Sequence, residues 1–143
     1  MYRIGFTLGD PYNDGHGMTE EYHILTSHSV EEIEDAYKKA TEKLGWNYVK
    51  TICRDYEDST IDMDQIEDLN IKLGIKFDYC LDDWRLKDLK HDGYCYLDSD
   101  TFVGIFFEIV SSEIPDFEWK EVDFDERTLP LLSRGAGYGL FAH

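Results

Sequence analysis

Residues 29–46 read SVEEIEDAYKKATEKLGW, and the reading of this stretch decides the fold class. Ser29 is a good helix N-cap, and Glu32, three residues on, supplies the other half of a capping box. Val30, Ile33, Ala36, Tyr37, Ala40 and Leu44 recur at the three-and-four spacing of one apolar stripe. Glu31, Glu32, Glu34 and Asp35 fill the first turns and Lys38, Lys39 and Lys43 the last, the order a helix dipole favours. Gly45 then stands where a helix stop is expected. A helix with one apolar face needs a second layer to cover it.

The flanking sequence supplies that layer as strands. Tyr2 to Leu8 reads as an opening strand, closed by the turn-rich segment Gly9 to Gly17, and Glu20 to Ser27 reads as a second. After the helix, Trp46 to Asp55 is rich in aromatic and β-branched residues and predicts another strand. Asp62 to Leu73 predicts a second helix, with Met63, Ile66, Leu69 and Leu73 inward and Gly74 as its stop, followed by a strand over Ile75 to Leu81. Ile33-Glu34-Asp35 leading to Lys43-Leu44-Gly45 is echoed by Ile66-Glu67-Asp68 leading to Lys72-Leu73-Gly74, which is best read as two helix ends solved with the same cap. Further on, Asp83 to Lys90 suggests a short helix and Gly93 a turn into a strand at Tyr94 to Leu97. The apolar run from Asp100 to Ser112 fits either a buried helix capped by Ser99 or a core strand, since periodicity does not separate the two. Phe117 to Phe124 resembles a strand, Glu126 to Ser133 at most a short turn of helix, and Gly135 to Phe141 a glycine-rich end segment. No linker composition divides the chain. The expectation is a single domain over residues 1–143, α+β or mixed α/β, with one sheet of about five to six strands packed against two to four helices.

A chain of 143 residues can bury enough surface to fold without disulfide or metal staples. With 42% hydrophobic residues it is too apolar to be disordered. Cys53, Cys80 and Cys95 form no CxxC pair and make an odd count, which points to buried, reduced thiols and a cytoplasmic setting. No apolar run approaches the roughly 18 residues that suggest a membrane span.

Motifs for chemistry are sparse. His16, Glu20, Glu21 and His23 combine imidazoles and carboxylates at short spacing, with Asp10 and Asp14 just before them, and form the best metal candidate. No HExxH spacing accompanies them, and an exposed polar loop feeding an amphipathic strand is the simpler reading. Asp55 to Asp64 imitates a calcium loop, but Thr60 occupies the sixth position where that loop needs glycine. Gly135, Gly137 and Gly139 do not make a dinucleotide fingerprint, because Leu140 replaces the third required glycine and only four residues follow Gly139. No serine-elbow or Cys-His signature pairs a nucleophile with a base. No catalytic residue and no cofactor is therefore expected.

Charge is the loudest signal. Thirty-one acidic residues against fourteen basic ones leave a net charge of −17, which disfavours direct binding to nucleic acid or an anionic membrane and favours a basic protein partner, such as a nucleic-acid-binding enzyme. Two runs concentrate the acids. The first holds Asp55, Glu57, Asp58, Asp62, Asp64, Glu67 and Asp68, with Tyr56 as an aromatic contact, and is the first choice for a partner-binding face. The second holds Glu113, Asp116, Glu118, Glu121 and Asp123, with Phe117, Trp119 and Phe124 as aromatic anchors, and is the second choice. Duplex DNA carries one charge per roughly 1.7 Å, so the net charge matches about 29 Å of duplex, close to the expected width of the domain.

In size, charge and lack of a catalytic signature, the chain resembles two functional groups. One is the anti-defence proteins of phages and mobile elements, anti-CRISPR and anti-restriction proteins among them, some of which act as DNA mimics. The other is the immunity proteins that neutralise nuclease toxins. The resemblance implies a small acidic, non-enzymatic inhibitor that masks a basic surface. The alternative from a different class is a small metal-dependent hydrolase or ligand-binding enzyme using His16, Glu20, Glu21 and His23.

Overall fold

The computed structural model describes residues 1–8, 20–52, 60–76, 81–123 and 126–130. The expected turn at Gly9 to Gly17, Cys53, Cys80, most of the expected strand at Ile75 to Leu81, and the segment Gly135 to Phe141 lie outside them. Strands β1 (Tyr2–Leu8) and β2 (Glu20–Thr26) precede α1 (Val30–Leu44) and the short helix α2 (Tyr48–Ile52). Strand β3 (Thr60–Asp62) runs into α3 (Met63–Leu73), and α4 (Asp83–Asp92) turns into β4 (Tyr94–Tyr96). Helix α5 (Ser99–Ser111), β5 (Trp119–Glu121) and β6 (Leu129–Pro130) follow.

This is the expected α+β architecture, with a smaller sheet and more helices than the sequence suggests. Among the described residues the strands split into a four-stranded sheet of order β5-β2-β1-β6 and a separate antiparallel pair, β3-β4. In the larger sheet β1 and β2 pair antiparallel along their whole length, and β6 joins β1 in parallel. The register sets Ile4 opposite Ile24, and both are fully buried. Alternation then puts Tyr22, Ile24 and Thr26 on the inner face of β2. Helix α5 covers that face: the Tyr22 hydroxyl donates to Asp100 at 3.0 Å, and the Trp119 ring of β5 packs on Phe107 at 4.6 Å between centroids.

Helix α1 forms as its sequence dictates. The Glu32 amide donates to Ser29 Oγ at 3.2 Å, and the Ser29 amide donates back to Glu32 Oε1 at 3.3 Å. The His28 ring, with Nδ1 2.9 Å from Glu32 Oε2, joins the Ser29 amide in holding the Glu32 carboxyl below its usual range. Gly45 closes the helix at φ 87°, a left-handed conformation that a side chain at this position resists, and Gly74 and Gly93 close α3 and α4 in the same way. The echoed Lys-Leu-Gly pattern is thus one capping solution used at the ends of α1 and α3. Replacing Ser29 with alanine removes half of the box and should cost about 1 kcal/mol, read as a lower urea midpoint with an unchanged denaturant slope.

Several elements differ from the sequence reading. Glu126 to Ser133, read as at most a short turn of helix, instead carries strand β6 at Leu129–Pro130, where the backbone pairs in parallel with Ile4 and Gly5 of β1. The segment expected as a strand from Trp46 to Asp55 contains helix α2, because local and tertiary hydrogen bonds both favour a turn. Asn47 Oδ1 accepts from the Lys50 amide at 3.0 Å, and the Tyr37 hydroxyl accepts from the Val49 amide at 3.1 Å. The ambiguous run from Asp100 to Ser112 is helical. Its cap is Asp98, one residue before the expected Ser99, with the Thr101 amide donating to Asp98 Oδ1 at 2.8 Å. Phe102, Val103, Ile105, Phe106, Phe107, Ile109 and Val110 are all buried, so α5 is the central helix of the core and is apolar almost all round. Among the described residues, no helix is long and apolar enough to cross a membrane.

Candidate functional site

The first acidic run is only partly described: Asp55, Tyr56, Glu57 and Asp58 lie outside the described residues. The remainder sits on and before α3, and the fold uses its members unequally. Asp62 is the N-cap, its carboxylate accepting from the Gln65 amide at 2.8 Å. Asp68 Oδ2 accepts from the Trp46 indole at 3.1 Å and lies 3.6 Å from Lys72 Nζ, which itself donates to the Leu44 carbonyl at 3.0 Å. That set of contacts ties the end of α1 to α3. Asp64 and Glu67 are left as exposed carboxylates. Met63, expected inward, is 49% exposed at the first position of α3, whose contact with the core is made by Leu69 with Ile66 and Leu73 partly buried beside it.

The second run flanks β5, an edge strand whose three residues are all exposed. Asp116, Glu118, Glu121 and Asp123 stand at the surface. Glu113, just past the end of α5, is paired with Lys43 of α1 and is only 15% exposed, so it ties that turn to α1 and does not offer its charge outward. Trp119 is 38% exposed although one side of its ring rests on Phe107. Phe117, expected as a contact anchor, is buried and stacked on Phe107 at 5.4 Å, while Phe124 lies outside the described residues. The two runs occupy separate elements, α3 with its approach and the β5 edge.

Of the metal candidates, Asp10, Asp14 and His16 lie outside the described residues. Glu20 and Glu21 belong to β2, paired with Leu8 and Thr7 of β1. His23 faces Gly5 across the same pair, and a Cβ at Gly5 would stand 3.2 Å from the His23 ring and 2.9 Å from Thr128, so glycine is what lets the imidazole lie there. Among the described residues, no group of three His, Cys, Asp or Glu side chains is placed to hold a metal ion.

Between α1 and α2 runs an open groove of about 670 Å³ lined by Tyr37, Lys38, Trp46, Asn47 and Lys50, with Glu34 and Glu42 beside them. Its central hydroxyl is committed: Tyr37 donates to Asn47 Oδ1 at 2.8 Å, and burial pushes its pKa up to about 12. Near neutrality the hydroxyl is therefore protonated and acts as a hydrogen-bonding group. Cys95 is a buried free thiol, as the sequence suggests, and that burial raises its pKa.

A third surface was not singled out by charge. Tyr94 and Tyr96 of β4 lie on the outer side of the β3-β4 pair, 43% and 49% exposed, with their ring centroids 5.8 Å apart. Tyr96 connects through its carbonyl to Arg85, whose Nε donates to it at 2.9 Å. The Arg85 guanidinium, only 4% exposed, also donates to Asp98 Oδ2 at 2.8 Å, pairs with Asp82 and lies 4.1 Å from the centre of the Trp84 ring. Trp84 remains 51% exposed. The legible signal was the tripeptide Tyr94-Cys95-Tyr96: on a strand with Cys95 inward, both tyrosines must face out.

No family model matches this chain, and neither a curated protein nor a solved structure matches it.

Proposed function

We propose that this protein is a small acidic, non-enzymatic binding module that inhibits a partner by masking its basic, nucleic-acid-binding surface in the cytoplasm. The task has the physical form of an anti-defence protein, such as an anti-CRISPR or anti-restriction protein acting as a DNA mimic, or of a toxin immunity protein. The supporting observation is the placement of carboxylates on both acidic runs: Asp64, Glu67, Asp116, Glu118, Glu121 and Asp123 are all exposed. A net charge of −17 supplies the long-range attraction, which speeds encounter with a basic partner and weakens as salt shortens the Debye length from about 10 Å at 0.1 M.

The fold narrows how this is tested. Asp62 and Asp68 hold helix and tryptophan, so changing them perturbs folding as well as charge. Asp64 and Glu67 are the clean positions. Reversing both to lysine should weaken capture of a basic partner at least tenfold, about 1.4 kcal/mol, while leaving the circular dichroism spectrum unchanged. Affinity capture from host lysate at low salt, with and without duplex DNA as competitor, identifies the partner. Recovery of basic nucleic-acid enzymes that DNA displaces supports the proposal; an undiminished affinity after charge reversal at Asp64 and Glu67, or recovery of metabolic enzymes alone, overturns it for this face or for the protein.

A further inference from the structure

The surface around Arg85 shows how this chain holds a guanidinium. A planar fork donates to two carboxylates, Asp82 and Asp98, and to one backbone carbonyl, while an indole covers its face. These are the contacts an arginine makes best, combining directional hydrogen bonds with stacking on an aromatic ring. The same groups have a second, outward half. The side chains of Asp82 and Asp98 are 61% and 55% exposed despite their bonds to Arg85. Asp82 stands at the N-cap position of α4 without capping it. Trp84 is half exposed, and beyond the Tyr96 carbonyl Tyr94 and Tyr96 are each a little under half exposed. At the far end of β4, Tyr94 is the register partner of Asp62, which adds a further exposed carboxylate beside the rings.

We infer that the outer face of β4 and the start of α4, built from Trp84, Tyr94 and Tyr96 with Asp62, Asp82 and Asp98, is a docking surface for an arginine-bearing segment of a basic partner protein. The inference rests on the proposed masking function and adds to it the face and the side-chain chemistry. Charge complementarity sets the sign of the occupant. The exposed rings set its preference, because an ammonium gains from carboxylates about as a guanidinium does but lacks the flat face that stacks on tyrosine and tryptophan. Large aromatic side chains are also the kind that dominate interface energy when a partner covers them.

The test compares two peptides of equal charge, (Arg-Gly)6 and (Lys-Gly)6, binding to the full chain at 50 mM salt, followed by titration calorimetry and by amide shifts in NMR spectra. The expected result is that the arginine peptide binds at least fivefold tighter, shifts the resonances of Tyr94, Tyr96 and the Trp84 indole, and loses that preference in the double variant Tyr94→Ser, Tyr96→Ser. Both tyrosines are exposed, and a melting temperature within about two degrees of wild type confirms that the variant is folded. A second variant, Tyr94→Phe with Tyr96→Phe, keeps the rings and should keep the preference. Equal binding of the two peptides, or shifts confined to α3 or the β5 edge, overturns the inference while leaving the charge-based function standing. Failure of both peptides to bind at low salt overturns both.

Discussion

Replacing Phe106 with alanine should destabilise the protein by about 4 kcal/mol, the largest single-site effect expected in this fold. Phe106 is fully buried at the centre of α5, with its ring 4.9 Å from Tyr37 of α1 and 5.3 Å from Phe107. It is where the central helix meets the amphipathic stripe of α1. Removing it forfeits the transfer energy of a phenyl ring and leaves a cavity between two helices that are each held elsewhere, α1 by its caps and by the Lys72 contact to Leu44, α5 by Asp98 and the Lys43–Glu113 pair. Such constrained walls cannot collapse to fill the space, which places the cost in the upper part of the usual range. A domain with 5–15 kcal/mol of total stability would lose a large share, seen as a melting temperature lower by roughly 12 °C. Phe106→Leu keeps most of the volume and should recover more than half of the loss. A shift of less than about 1 kcal/mol for the alanine variant would show that α5 is not the centre of the core.

The second large effect belongs to Arg85. Arg85→Ala should cost about 3 kcal/mol, since it opens three charge-assisted or carbonyl contacts at once and leaves Asp82 and Asp98 facing each other without the cation between them. The cost lies at the low end for a buried ion pair because both carboxylates keep contact with water. Arg85→Met preserves the packing of the side-chain stem and should be milder. A double-mutant cycle with Asp98→Ala isolates the pair, and an interaction energy near zero would dismiss it as structural glue.

The same pair makes an acid-pH prediction. Burial pushes the Asp98 pKa up, but hydrogen bonds from Thr101 and the Arg85 charge outweigh it and hold the group below its ordinary value of 3.8. A folded-state pKa lower than the unfolded one means the stabilisation is complete above the unfolded value and disappears as pH falls through the folded one. Stability against urea should therefore decline below about pH 4. In Arg85→Ala that decline should be shallower but still present, because the Thr101 amide continues to favour the ionised carboxylate.

Much of this protein was legible in short stretches. Ser29 with Glu32 and Gly45 announced α1 to the residue, and Gly74 marked the end of α3, whose start lies one residue later than the sequence reading because Asp62 is its cap; a cap is a hydrogen bond between near neighbours in sequence and needs nothing from the rest of the chain. The acidic character is likewise a property of the sequence, indifferent to folding. Tertiary structure decided what distant partners control. Trp46 to Ile52 has the composition of a strand, yet Tyr37, brought alongside by α1, hydrogen-bonds the Val49 amide and the segment coils into α2. The strands divide into two sheets because β4 pairs with β3 across more than thirty residues of chain, a register no local pattern specifies. The division of labour among the carboxylates has the same origin: Asp64 and Asp68 are the same residue type on one helix, and the arrival of Trp46 from beyond α1 makes Asp68 a structural acceptor while Asp64 faces water.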